Sequence, residues 1–505
     1  MEKTQVVVIG GGATGTGVLR DLALRGIDCI LLEQNDLATG TSGRFHGLLH
    51  SGARYAVKDF SSARECIQEN QIIKKIAPDC IEDTGGLFIA VKGDDPNYIK
   101  SWLENCSLAD ISIEEVSPSD LLQTEPALTK DISRVYMVPD AAVDGFSLAA
   151  ANALSARNLG ARVKTYSCAT GFKIEKQKVR GVYVIDRYTG QEDYIKCEFV
   201  VNATGAWAGQ VAKMAGIGLN ITPDKGVLVI FNHRITNKVI NRLRPPGDGD
   251  IFVPHGSVTV FGTTSQTTSD PNDSEAAAED VLRLLEEGKQ LFPGLDKMRL
   301  IRAFAGVRPL YQPDGAGSGR EATRDFFLID HDRLHGLEGM ISMVGGKLTT
   351  YRLMAKAASD HVSKVLKVDK PCLTDKEIIY PPIPKQKEYD NKQLCQCERI
   401  SSKLLDLAVK DKVRFTLNDV RRLTRLGMGP CQGTFCTFRA AGYYHQSRSL
   451  KAAEANKLLK EHIQERFKGS IPVLWKEQAQ ELELTRGIYL GLLNLERLES
   501  DNHEI

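Results

Sequence analysis

The sequence predicts an α/β (α+β) chain organised around a Rossmann-like dinucleotide-binding unit, with a small helical unit at its C-terminal end. Three observations predict it. A glycine-crowded turn joins a strand to a helix at the start of the chain, a hairpin and an apolar strand follow near the middle, and four cysteines gather near the end.

Val6 to Ile9 are apolar and β-branched, which reads as a buried strand. Gly10, Gly11, Gly12 and Gly15 crowd the next turn; a helix then runs to about Arg25, Gly26 ends it, and Ile27 to Glu33 reads as a second strand. In this G-x-G-x-x-G pattern Gly10 permits the tight turn, Gly12 lets a pyrophosphate approach the backbone, and Gly15 lets helix and strand pack closely. The helix N-terminus favours phosphate charge. Glu33 is placed to accept hydrogen bonds from a ribose 2′-hydroxyl. Such glycines also occur in turns that are merely structural, but the flanking elements and the acid in register point to a dinucleotide.

Further along, Val179–Ile185 and Tyr194–Val201 flank a turn at Tyr188-Thr-Gly190, a hairpin signal. The apolar stretch Phe199-Val-Val-Asn then ends in the small-residue turn Ala203-Thr-Gly205. Strand, hairpin and Ala-Thr-Gly turn together favour FAD over a nicotinamide, against the plainer reading of one more buried strand. Helical spacing predicts helices over 61–77, from Ser274 to about Leu291, and from Thr350 to Leu366. The prolines of Tyr380-Pro-Pro-Ile-Pro-Lys385 mark an extended connector. The expected division is a discontinuous FAD-binding and substrate unit over 1–370, a linker over 371–390, a cysteine-bearing unit over 391–450, and a helical region over 451–505.

A chain of 505 residues is too long for one ordinary core. Its 42% hydrophobic and 26% charged residues match a soluble enzyme. A formal net charge of +1 gives no reason to expect nucleic-acid binding. No apolar run approaches the roughly 20 residues of a membrane-spanning helix. The first strand begins almost at once, leaving no room for a signal peptide. An intracellular protein with reduced thiols is therefore expected.

Cys395-x-Cys397 and Cys431-x4-Cys436 form a set far denser than the seven other cysteines. Four thiolates suit either a structural Zn²⁺ or a [2Fe–2S] cluster. Four plain buried thiols fit less well, because both pairs adjoin polar or glycine residues.

Three glycine-flanked stretches concentrate polar groups: His46-Gly-Leu-Leu-His-Ser-Gly-Ala-Arg-Tyr55, Ala305-Gly-Val-Arg-Pro-Leu-Tyr311 and Val344-Gly-Gly-Lys-Leu-Thr-Thr-Tyr-Arg352. With these, the chain resembles the FAD-dependent glycerol-3-phosphate dehydrogenases over essentially its whole length, and most closely the A subunit of the anaerobic bacterial enzyme. The resemblance implies a D-amino-acid-oxidase-like fold, in which an antiparallel-sheet substrate domain is inserted into the FAD domain. It implies oxidation of sn-glycerol 3-phosphate to dihydroxyacetone phosphate. It also implies that Arg54, Arg308 and Lys347 hold the substrate phosphate, with Tyr55 beside them. Guanidinium forks suit phosphate oxygens; an isolated Arg54 or Arg308 would more simply pair with a carboxylate. Gly346, Lys347, Leu348 and Thr349 lead into a helix whose N-terminus would stabilise charge on reduced flavin, or serve only as a cap.

His50 is the first candidate for the base that takes the C2 hydroxyl proton, because its ordinary pKa lies near neutral. Arg308 is the alternative catalytic group, orienting the hydroxyl and stabilising developing alkoxide. Arg44 and His46 share the loop without an assigned role. The motif Leu426-Gly-Met-Gly-Pro-Cys-Gln-Gly433 resembles a bacterioferritin-associated-ferredoxin-like domain, which implies [2Fe–2S] rather than zinc on Cys395, Cys397, Cys431 and Cys436. The family further implies a flavoprotein-like partner subunit, with a membrane-anchoring iron–sulfur subunit delivering electrons to quinone. That would make a cytoplasmic chain peripheral to the inner face of the membrane. Another polyol phosphate such as erythritol phosphate, a glycerol-phosphate oxidase, and a zinc-bearing scaffold remain as alternatives.

Overall fold

The computed structural model describes residues 2–313, 319, 323–384, 393–412, 414–493 and 495. Val6–Ile9 and Cys29–Leu32 pair in parallel, with Val6 opposite Cys29, and helix Ala13–Leu24 joins them. Arg162–Lys164 adds outside Cys29–Leu32. On the other side lie Phe199–Asn202, then Met340–Gly345, both parallel, and an antiparallel Phe326–Asp330. Among the described residues this makes a six-stranded sheet.

The first strand alternates between two cores, as strand geometry requires. Val6 and Val8 face helices Ala13–Leu24 and Tyr351–Leu366; Val7 and Ile9 face a four-stranded sheet that contains Ser167–Glu175 and Lys178–Asp186. Close contact between the two helices depends on Gly17, where a Cβ would meet the Tyr351 ring at 3.0 Å.

A larger sheet carries the polar half of the molecule. Its backbone is the long antiparallel pair Thr222–Phe231 and Leu300–Leu310, and Val239–Arg242 runs parallel to Gly86–Val91 within it. The antiparallel-sheet unit expected between the Rossmann strands is therefore present, with one parallel pairing. Phe231, Phe252, Phe261 and Phe292 fill its core.

Two expectations need correction. Tyr194–Val201 is not one hairpin arm. Glu192–Lys196 pairs antiparallel with Lys178–Asp186, whereas Phe199–Asn202 leaves that sheet and pairs parallel with Val6–Ile9. The reason lies in the side chains: Glu192–Lys196 is mostly exposed, and Phe199–Asn202 is buried throughout, as a central parallel strand must be. The helix expected from Ser274 begins at Ala278 and ends at Gly288, short of Leu291.

The C-terminal part is helical, with Ser402–Ala408, Leu417–Thr424, Cys436–Ser447, Ala452–Ser470 and Glu477–Arg486 around its own apolar cluster. It is tied to the rest of the chain by polar contacts. Tyr166 donates to Asp419 at 2.6 Å, Arg422 reaches Asp36 at 3.2 Å, and Ser257 donates to Glu398 at 2.7 Å. Residues 385–390 of the expected linker, 391–392 and 413 of the expected cysteine unit, and 494 and 496–505 of the helical region lie outside the described residues.

Candidate functional site

A cavity of about 1030 Å³ runs from the first glycine turn into the polar half of the molecule. At one end stand Gly10, Gly12, Glu33, Ala203 and Gly205; at the other stand His50, Arg54, Tyr55, Arg308 and Lys347, with Gly346, Leu348 and Thr349 between. The dinucleotide and substrate candidates thus line one space, although five separate stretches of chain supply them.

The glycine end has the shape the pattern requires. Gly10 has φ +108° and faces the Ala203 carbonyl, which a Cβ would meet at 2.7 Å. Gly15 lies behind the cavity wall: its Cβ would stand 1.9 Å from the Gly10 carbonyl oxygen, so only glycine lets the helix close on the strand. Gly12 lies under Ser42, whose hydroxyl accepts from the Ala13 N–H at 2.9 Å. Glu33 accepts from the Gly11 and Asn35 N–H groups at 2.7 and 2.8 Å, and burial holds its carboxyl above the usual range. A carboxylate has further acceptor positions after two such bonds, so this arrangement fits the ribose role.

At the polar end, the strand pairing sets Arg308 directly opposite Asp224. The two form an ion pair, and Arg308 also bonds to Thr263 and to the Thr264 carbonyl. Arg54 pairs with the fully buried Asp250 at 2.9 Å. The carboxylate partners allowed for these arginines exist, and both guanidinium groups still line the cavity. Lys347 donates to Ser62 Oγ and to the Arg324 carbonyl, each at 2.8 Å, and sits 5.3 Å above the Tyr55 ring.

His50 is buried, with its ring 5.2 Å from that of Tyr55 and 5.6 Å from that of His46. Its backbone N–H donates to Thr349 Oγ1 at 3.1 Å, and Asn70 donates to its carbonyl. Burial, reinforced by His46, Arg54, Lys347 and Arg324, holds the His50 pKa well below its ordinary value. His46 is lowered to about 3, first by burial and then by Arg54 and Arg308. Both imidazoles are therefore neutral at pH 7 and able to accept a proton, but the near-neutral pKa expected of His50 does not hold, because burial and the surrounding cations make it a weaker base. Burial also pushes the Tyr55 hydroxyl up to about 12.

The helix after Lys347 begins with a short turn, Leu348–Thr350, and continues as Tyr351–Leu366. Lys347 N–H donates to Thr350 Oγ1 at 3.3 Å, so the expected cap is present, and the start of the helix borders the cavity. Ser42 and Arg324 belong to the site as well, and sequence reasoning missed both. Ser42 had a faint signal in Thr39-Gly-Thr-Ser-Gly43; nothing around Arg324 marks it as a cavity cation.

The four cysteines do not line this cavity. They gather in the C-terminal unit, where Cys436 lies close to both Cys395 and Cys431, and Cys431 close to Cys397. Contact with Cys436 lowers Cys395 to about 7 and Cys431 to about 5, burial pushes Cys397 up to about 11, and Cys436 is raised by its two thiol neighbours. Among the described residues no group of three or more His, Cys, Asp or Glu side chains is arranged ready to hold a metal ion. The four cysteines nonetheless form one connected group, and an all-thiol donor set fits zinc or an iron–sulfur cluster chemically.

The glycine turn, the buried acid and the polar end of one cavity define an FAD-dependent oxidoreductase, and the model of the family described as "FAD dependent oxidoreductase" matches residues 5–352. The chain is 40% identical to the A subunit of the anaerobic glycerol-3-phosphate dehydrogenase of Escherichia coli K12, across 99% of this chain and 98% of that protein. It is also 40% identical to the A1 subunit of the Haloferax volcanii enzyme, across 97% of this chain and 90% of that protein. The chain belongs to this family of anaerobic glycerol-3-phosphate dehydrogenase A subunits. In fold it resembles the glycerol-3-phosphate dehydrogenase of Bacillus halodurans complexed with FAD, with TM-score 0.59 and 22% identity over 98% of this chain and 88% of that one. Glycine oxidase of Geobacillus kaustophilus shares the fold, with TM-score 0.59 and 19% identity over 72% of this chain and 95% of that one.

Proposed function

We propose that this chain oxidises sn-glycerol 3-phosphate to dihydroxyacetone phosphate and passes the electrons through its cysteine centre to a partner subunit. The observation that carries the reading is a single cavity with a dinucleotide turn at one end and a neutral histidine among cations at the other. Bound FAD supplies a two-electron acceptor for the hydride leaving C2.

The chain's own residues do the rest. Gly10, Gly12, Ser42 and the start of helix Ala13–Leu24 hold the pyrophosphate, and Glu33 the ribose. Lys347, Arg54 and Arg308 bind the substrate phosphate, each already fixed by a neighbour, so little orientation is lost on binding. His50 takes the C2 hydroxyl proton on a ring packed against Tyr55 and His46, with its backbone N–H held by Thr349. Arg308 stabilises charge developing on that oxygen.

In this reading Cys395, Cys397, Cys431 and Cys436 hold a [2Fe–2S] cluster, which moves electrons singly where flavin chemistry delivers a pair. They belong to a C-terminal unit over 391–450, followed by a region over 451–505 that includes helices Ala452–Ser470 and Glu477–Arg486, and joined to residues 1–370 by the connector 371–390. Relatives named as A and A1 subunits support the presence of further subunits. So does the face beside the cysteines, where Cys397 is exposed and Phe435 and Phe438 are 52% and 48% exposed. No helix among the described residues is long and apolar enough to cross a membrane; in this reading a partner subunit brings the chain to the membrane.

Anaerobic titration with glycerol 3-phosphate, followed by visible absorbance, tests the proposal. Bleaching of the flavin band with glycerol inert is expected. A flavin reduced only by another polyol phosphate would replace the substrate, and a flavin reduced by glycerol itself would discard the phosphate clamp. Iron, sulfide and zinc assays on the same sample decide what the cysteines hold.

A further inference from the structure

Helix Ala452–Ser470 lies between the Cys431–Cys436 turn and the strand that carries Arg308. Toward the strand, Glu465 pairs with Arg302 at 2.6 Å, and Gly469 packs so closely on Arg302 that a Cβ would stand 2.6 Å from its Cζ. Toward the cysteines, Arg466 donates to Thr434 Oγ1 at 2.7 Å, and that hydroxyl lies 2.8 Å from the Cys431 carbonyl. One helical turn earlier, His462 sits against Gly433, where a Cβ would stand 2.8 Å from its Nε2. Both side chains are 2% exposed.

The polar groups on this side are poorly matched. Among the described residues neither ring nitrogen of His462 makes a well-formed hydrogen bond, although the Gln432 backbone is close enough to act on the ring, and Arg466 Nε makes none either. Glu481 is the acid near Arg466, at 3.7 Å, and Arg421 and Arg302 add further positive charge around His462. Buried donors and cations left this way are unfavourable unless something supplies acceptors and negative charge. A four-thiolate [2Fe–2S] centre is an anion and becomes more negative when reduced. Its potential responds to nearby charge and to hydrogen bonds at sulfur.

We infer that Arg466 and His462 are positioning residues of the cysteine centre, holding the Cys431–Cys436 turn and presenting it with positive charge and an imidazole N–H. They raise its reduction potential, so that electrons leaving the flavin find a ready acceptor. The inference rests on the [2Fe–2S] reading above. It gives residues 452–470 a function within the chain itself.

The test uses the full-length flavin-loaded protein and the variants Arg466→Gln, Arg466→Lys, His462→Leu and His462→Gln. Iron and acid-labile sulfide are assayed first, and flavin reduction by glycerol 3-phosphate serves as the control for folding. The cluster potential is then measured by an EPR-monitored redox titration. Loss of charge in Arg466→Gln, or of the N–H in His462→Leu, is expected to reduce the reduced-to-oxidised ratio at fixed poise about tenfold, or about 59 mV for a one-electron couple. Arg466→Lys and His462→Gln should stay near the wild-type potential. An unmoved potential in Arg466→Gln and His462→Leu, with iron and sulfide present, overturns the inference and leaves the cluster reading intact. Zinc without iron in the unmodified protein removes the cluster reading and this inference with it. If His462→Leu does not fold, Arg466→Gln against Arg466→Lys decides alone: equal potentials overturn the inference.

Discussion

In the cavity, Arg54 and Arg308 each lean on a fully buried aspartate, Asp250 and Asp224, while behind the cysteine turn the nearest acid to Arg466 stands 3.7 Å away. The two regions concentrate similar side chains for different ends. A cavity that admits and releases a charged substrate has to be stable when empty, and arginines paired with carboxylates are. The pairing also fixes the direction of each guanidinium fork, leaving donors for a phosphate. Behind the cysteine turn the proposed cluster would itself supply the negative charge that Glu481, at 3.7 Å, gives Arg466 only at longer range.

The strongest way to break this comparison is to disable one region and watch the other. Gly15→Val would drive a side chain into the Gly10 carbonyl, where even a Cβ lies at 1.9 Å, so flavin should be lost and substrate oxidation abolished. The C-terminal unit has its own apolar core, so iron should remain. Cys431→Ser should do the reverse, losing iron and turnover to an external acceptor while the flavin still bleaches with substrate. Absorbance spectra and iron assays read both. Loss of both cofactors in either variant would show that the regions fold as one.

Within the cavity the expected effects are smaller and separable. His50→Asn removes the proposed base but no positive charge, so kcat should fall by about 10²–10⁴ while KM changes little. Lys347→Met removes the proposed clamp cation, which bonds to Ser62 and the Arg324 carbonyl. It should raise KM about 10- to 100-fold with a smaller change in kcat, the size of one or two charged hydrogen bonds. Steady-state kinetics with an artificial acceptor would distinguish them. A KM effect in His50→Asn and a kcat effect in Lys347→Met would exchange the two roles.

What the sequence made legible follows from what each feature depends on. The glycine turn, the flanking strands and Glu33 are set within a few dozen neighbouring residues, and spacing alone reveals them. The three cation-bearing stretches were legible as motifs, but not their partners. Arg308 meets Asp224 across 84 residues through sheet register, and Arg54 meets Asp250 across 196 through the packing of a turn on a loop, neither of which a local pattern encodes. The misread hairpin arm failed for a related reason. Tyr194–Val201 is one run of strand-forming residues, and only burial on both faces separates Phe199–Asn202 as a strand of the central sheet. Arg324 and Ser42 are brought to the cavity by folding and are ordinary residues in the sequence.

The smallest expected effect concerns acid stability, and it too distinguishes the regions. Around the cavity, His46 is held at about 3, His255 at about 4 and His50 well below its ordinary value, in each case chiefly by burial. The C-terminal unit adds His462, also well below its ordinary value. A histidine whose folded pKa is depressed takes up its proton first in the unfolded chain. Its contribution is complete above about pH 6.5 and is lost as pH falls toward the folded value. The buried carboxyls of Glu33, Glu69 and Asp140, held above their usual range by burial, oppose this trend. The informative measurement is therefore a difference between variants. His255→Gln keeps a donor for the His46 carbonyl, which His255 Nε2 meets at 3.0 Å, and removes one titrating ring. Between pH 6.5 and 5, denaturant unfolding of this variant should lose stability less steeply than the parent, by up to about 1.4 kcal/mol per pH unit. Equal slopes would mean that His255 takes up its proton in the folded protein at the same pH as in the unfolded chain. Below about pH 6.5 a positive charge would then stand against His46, whose carbonyl His255 meets, rather than a neutral ring.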